Sequence, residues 1–90
     1  MEKAYLLRVS GRVQGVGFRF QTHMQARRLG IMGWVKNMPD GSVEVFCEGE
    51  STRLDTFLKW VKKGPQGTRV DLLKKREVPS KGCMTFTIEY

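Results

Sequence analysis

Gly11-Arg12-Val13-Gln14-Gly15-Val16-Gly17-Phe18-Arg19 stands between an alternating apolar run and a segment with helical spacing. Its reading decides how the chain begins to fold, because a strand must turn sharply here and hand over to a helix. Three glycines let the backbone turn and approach a ligand without Cβ clashes. Successive N–H groups in such a loop can converge on one concavity, and the following helix N-terminus adds donors and a favourable dipole. The stretch is a candidate anion cradle. Arg19, one residue inside the predicted helix, is placed to lay a guanidinium fork over the same anion. The spacing matches neither the Walker pattern, which requires Gly-Lys-Ser/Thr, nor the dinucleotide fingerprint. A tight connection whose glycines serve geometry alone is the plain alternative.

Working outward, Ala4 to Ser10 alternates as a strand, with Tyr5, Leu7 and Val9 on one face and Leu6, Arg8 and Ser10 on the other. Phe18 to Leu29 reads as a helix, closed by Gly30 and with Arg27 and Arg28 in its last turn. Phe18, Thr22, Ala26 and Leu29 form its expected inner stripe, in preference to Phe20, Met24 and Ile31. Met32 to Asn37 and Ser42 to Glu48 are two strands joined by the turn Met38-Pro39-Asp40-Gly41, a predicted hairpin. A second helix follows, capped by Ser51 or Thr52, with Leu54, Phe57, Leu58 and Val61 as a single apolar stripe. Gly64 and Pro65 stop it. Val70 to Val78 and Cys83 to Tyr90 are the last strands, the latter with Met84, Phe86, Ile88 and Tyr90 expected inward. The order β-α-β-β-α-β-β is that of a split βαβ pair. It predicts an α+β ferredoxin-like sandwich over residues 1–90: an antiparallel sheet with two helices on one face.

Ninety residues suffice for one domain with one core. Sixteen Lys and Arg against nine Asp and Glu give a formal charge of +7, which favours anionic partners from phosphorylated metabolites to nucleic acid. Two cysteines, Cys47 and Cys83, and one histidine, His23, provide no metal-ligand spacing and no disulfide framework. Met1-Glu2-Lys3 leads straight into strand-like sequence without a signal-peptide pattern. No apolar run reaches the roughly 18 residues that a membrane span requires. A soluble, cytoplasmic monomer is expected.

No Ser-His-Asp set, Cys-His pair or carboxylate cluster can be assembled from these residues. If an anion is processed at the glycine loop, the chain supplies charge and orientation with little proton transfer. Asn37, at the end of its strand, could hold one water through its amide, although an Asx residue opening a turn is the commoner role. An alkyl phosphate leaves as an alkoxide and needs a general acid or a metal. An acyl phosphate leaves as a carboxylate, whose conjugate acid has a pKa near ~4, and needs neither. Its phosphoryl transfer reduces to positioning and charge stabilisation.

These residues resemble the signatures of the acylphosphatase family. Gly11 to Arg19 is similar to Gly-x-Val-Gln-Gly-Val-x-Phe-Arg. Gly33-Trp34-Val35-Lys36-Asn37-Met38-Pro39-Asp40-Gly41-Ser42-Val43 is similar to the second signature, Gly-[aromatic]-Val-x-Asn-x-x-[Asp/Asn]-Gly-x-Val. The resemblance implies hydrolysis of the carboxyl-phosphate bond of acyl phosphates, with no metal and no cofactor. It places the catalytic arginine at Arg19 and the catalytic asparagine at Asn37. Phosphate would be held by Gln14, Gly15, Val16, Gly17, Phe18 and Arg19, and inorganic phosphate would be both product and inhibitor.

Two other readings compete. RNA-recognition domains share the β-α-β-β-α-β order and basic charge, but they need exposed aromatics on the third strand. Here that strand is Ser42-Val43-Glu44-Val45-Phe46-Cys47-Glu48, whose glutamates oppose a phosphate backbone, so no nucleic-acid partner is expected. An accessory acylphosphatase-like module fused in a larger maturation protein is the other reading. With nothing after Tyr90, a free-standing enzyme is the simpler expectation.

Overall fold

The computed structural model describes residues 1–90. Five strands and two helices follow the predicted order: β1 (Glu2–Arg12), α1 (Phe18–Arg28), β2 (Met32–Asn37), β3 (Val43–Glu50), α2 (Ser51–Lys63), β4 (Arg69–Glu77) and β5 (Phe86–Glu89). They form one sheet of order β4-β1-β3-β2-β5.

Residues spaced for one face of each helix meet residues alternating on one face of the sheet. Phe18, Thr22 and Ala26 are the buried residues of α1, and Leu54, Phe57 and Val61 those of α2. They close over Leu7, Val9, Val35, Val43, Val45 and Phe86. Each fully buried large side chain contributes on the order of 1.5–3 kcal/mol. The favoured stripe of α1 is therefore the inner one, while Phe20 and Met24 remain 60% and 45% exposed. Gly30 ends α1 as expected: its N–H donates to Arg27 O, and the Ile31 N–H donates to Ala26 O at 2.8 Å. This pair of bonds swings Ile31 back into the core.

Three expectations need correction. The sheet is mixed, because β5 runs parallel to β2 while the other pairs are antiparallel. β4 ends at the bottom of the sheet, so the Val78–Thr85 segment crosses there and β5 must start from that end. Met84 and Tyr90 are 91% and 94% exposed, not inward. β5 has only four residues, and its alternation cannot extend to positions that lie outside it. The cap of α2 is Glu50, not Ser51 or Thr52: β3 stays extended to Glu50, whose Oε1 accepts from the Arg53 N–H at 3.2 Å. Phe46, on the face away from the helices, is also fully buried. Trp34 stacks on it at 4.6 Å and Lys81 lies over its ring.

At the bottom of the sheet Glu48, 6% exposed, holds the crossing segment. Its carboxylate accepts three consecutive main-chain N–H groups, from Lys81 (2.9 Å), Gly82 (3.2 Å) and Cys83 (2.6 Å). Burial opposes its ionisation, but these donors outweigh it and hold the carboxyl below its ordinary range.

Candidate active site

The opposite end of the sheet collects the predicted residues. β1 finishes with an irregularity between Ser10 and Gly11, where a Cβ on Gly11 (φ 136°) would collide with the Arg69 carbonyl. The chain then leaves the sheet, and Gly15 (φ 72°) and Gly17 (φ 81°) take the left-handed conformation that the loop needs. Gly17 is the N-cap of α1 and offers no side-chain acceptor to the first turn. None of the main-chain N–H groups from Gln14 through Gly17 donates a hydrogen bond to the backbone of the protein. Adjoining them are the orphan donors that begin any helix.

A cavity of about 210 Å³ opens at this loop, lined by Gly15, Gly17, Phe18, Arg19 and Asn37, with Val13, Phe20, Ile88 and Tyr90 completing the wall. Since a water occupies about 30 Å³ of liquid volume, the space admits a phosphoryl group together with a water. Asn37 reaches it from the end of β2, which is not the neighbour of β1, because β3 lies between them. The link across that gap is the side chain of Gln14. Its Nε2 donates to Met38 O and Ser42 O, both at 2.8 Å, and so fastens the glycine loop to the β2–β3 hairpin. Gln14 and Val16 do not themselves line the cavity. The hairpin turn is fixed in its own right: Asp40 Oδ1 accepts from both the hydroxyl and the N–H of Ser42, which holds its carboxyl below the usual range.

Asn37 Oδ1 is buried and has no partner in the protein. A buried acceptor left unpaired costs about 1–3 kcal/mol, so this atom is an expensive one to leave idle. Arg19, by contrast, is held. Its Nη1 donates to Glu89 O at 3.0 Å, and its guanidinium lies 4.8 Å from the centroid of the Tyr90 ring. The end of β5 thus aims the arginine, a role that strand alternation, which had turned Tyr90 inward, did not reveal. An Arg to carbonyl bond and an aromatic face leave no pattern in a single sequence.

The remaining reactive groups are poor nucleophiles. Cys47 is buried in the core, and its thiol is pushed up to about 12 by burial. The Cys83 thiol is raised by burial and by the Glu48 carboxylate beside it. Both are free thiols. The imidazole of His23 lies against Phe20 with Nδ1 buried and unpartnered.

Comparison with known proteins agrees with this geometry. The sequence model of the acylphosphatase family matches residues 5–88. An acylphosphatase of Yersinia pseudotuberculosis is 44% identical over 92 residues, spanning all of both chains. The crystal structure of acylphosphatase from Bacillus subtilis superposes with a TM-score of 0.93 at 41% identity, again over the whole of both chains. Full-length HypF, in its phosphate- and nucleotide-bound form, carries the same fold in 12% of its length, with a TM-score of 0.92 and 28% identity. The fold, both signature stretches and these likenesses agree, and the chain belongs to the acylphosphatase family.

Proposed function

We propose that the chain hydrolyses acyl phosphates to a carboxylate and inorganic phosphate in the cavity between the glycine loop and Asn37. The phosphoryl oxygens accept from the N–H groups of residues 14–18 and from the guanidinium of Arg19, which balances the charge spread over them in the transition state. The side-chain amide of Asn37, at the cavity wall, hydrogen-bonds a water and so directs a lone pair of that water at phosphorus. The water oxygen forms the new bond to phosphorus while the bond from phosphorus to the acyl oxygen breaks. The electron pair leaves on the carboxylate, and the water's second proton passes to a phosphoryl oxygen. Such a leaving group requires no general acid and no metal.

The observation that carries this reading is the meeting of free loop donors, Arg19 and Asn37 at one cavity. Loop N–H groups without main-chain acceptors border the same cavity as the Arg19 and Asn37 side chains. The complement of such a lining is an anion with an attached water. We also propose that the protein acts as a cytoplasmic monomer, that inorganic phosphate competes with substrate, and that nucleic acid is not a partner. Phe46, the aromatic of the third strand, is covered by Trp34 and Lys81 and offers no free stacking face.

The test is phosphate release from acetyl phosphate and from ethyl phosphate, each with a chelator present. Turnover of the first and none of the second is expected. Failure to cleave acetyl phosphate, or loss of activity on chelation, would overturn the reading.

A further inference from the structure

Beside the phosphate cavity a second, larger groove of about 580 Å³ runs between α1 and the C-terminal end of α2. Phe20 lines both. From Phe20 the wall continues along α1 through Met24 to Arg28. The spacing i, i+4, i+8 places these three on one face, spanning about 12 Å at 1.5 Å per residue. The facing wall includes Trp60 and Lys63. Near this groove α1 is fastened to the turn that follows α2 by Gln21, whose Nε2 donates to Gln66 O at 2.8 Å.

Three features distinguish this groove from an ordinary solvated helix face. The large apolar side chains left exposed on α1 are Phe20 and Met24, and both are in it. No carboxylate lines it. Arg28, at its far end, takes part in neither of the chain's two ion pairs and bonds only the neutral Gln25 side chain. The α1 wall is thus apolar near the phosphate cavity and cationic about 12 Å away.

We propose that this groove is the acyl subsite, and that it selects acyl phosphates whose acyl group is an extended apolar chain with an anionic far end. The proposal rests on the hydrolytic reading above. With phosphate in the cradle, an acyl chain emerging past Phe20 would lie over Met24 and Trp60. At roughly 1.2 Å per chain atom, eight to ten atoms would bring a terminal carboxylate to Arg28. Shorter groups such as acetyl stop at Phe20.

A series of acetyl, butanoyl, octanoyl and ω-carboxyoctanoyl phosphates tests this on the intact chain. In the unaltered protein kcat/KM is expected to rise from acetyl to octanoyl by on the order of tenfold or more, since each buried methylene is worth up to about fourfold. The ω-carboxyl member is expected to gain a further few-fold that salt removes. Met24→Ser should shrink the octanoyl-to-acetyl ratio, and Arg28→Gln should shrink only the ω-carboxyl gain. Both positions are exposed, so neither change threatens the fold. Ratios near one in the active protein, or ratios unmoved by both substitutions, would overturn the proposal while leaving the hydrolytic reading intact. An absence of turnover on acetyl phosphate would instead strike the hydrolytic reading itself.

Discussion

The two ends of the sheet solve one physical problem in opposite ways. At the bottom, three consecutive N–H groups of Lys81, Gly82 and Cys83 surround an anion, and the anion is the protein's own Glu48. At the top, a run of loop N–H groups has no main-chain acceptor, and the nearby Asn37 carbonyl oxygen has no donor. A nest filled from within is a structural clamp. A nest whose donors face solvent, as at the exposed Gly15 and Gly17, can exchange water for an anionic ligand. The contrast separates a binding site from a turn of similar chemistry without appeal to fold.

Four substitutions break this contrast in descending order of effect. Arg19→Lys keeps the charge but loses the fork, and should lower kcat/KM by on the order of 10²–10³ with the melting temperature little changed. Steady-state kinetics on acetyl phosphate beside thermal melts would show it, and near-normal turnover would remove Arg19 from its role. Asn37→Ala should lower kcat by about 10² with KM nearly unchanged, as expected for a group that orients water and not phosphate. A change confined to KM would make Asn37 a binding residue.

Glu48→Ala acts at the other nest and should spare kcat. It strands three donors and should cost about 2 kcal/mol, or roughly 10 °C in melting temperature for a domain of this size. Because the folded carboxyl sits below its ordinary value of 4.5, the stabilisation is present above that pH and is lost as pH falls through the lowered value. The gap in stability between Glu48→Ala and the unaltered protein should therefore close in acid. A gap that persists there would assign it to packing. Smallest is Gln14→Ala, which unfastens the loop from the hairpin and should cost about fivefold to tenfold in kcat/KM, near 1 kcal/mol. An effect as large as that of Arg19→Lys would mean that the Gln14 side chain contacts substrate.

The element order, both helix stripes and the hairpin were legible because each is local: a period, a cap or a turn residue within a few positions. The residues of the open nest were legible through the glycines, which mark where the backbone must turn, and through the two signature stretches. The closed nest was not. Glu48 reads as one more polar residue in an alternating strand, and its partners lie more than 30 positions away. The parallel placement of β5 was hidden for a related reason: it follows from where the Val78–Thr85 segment crosses, and that is a long-range outcome. The aiming of Arg19 by Glu89 and Tyr90 depends on a contact 70 residues apart in the chain, which no periodicity records.

The most direct measurement is a titration with inorganic phosphate followed by backbone amide NMR. The amides of residues 14–18 should shift together and saturate, while those of Lys81, Gly82 and Cys83 stay in place because Glu48 already occupies them. Loop amides that do not move, or amides of the two nests that move alike, would contradict the claim that the open nest is the phosphate site.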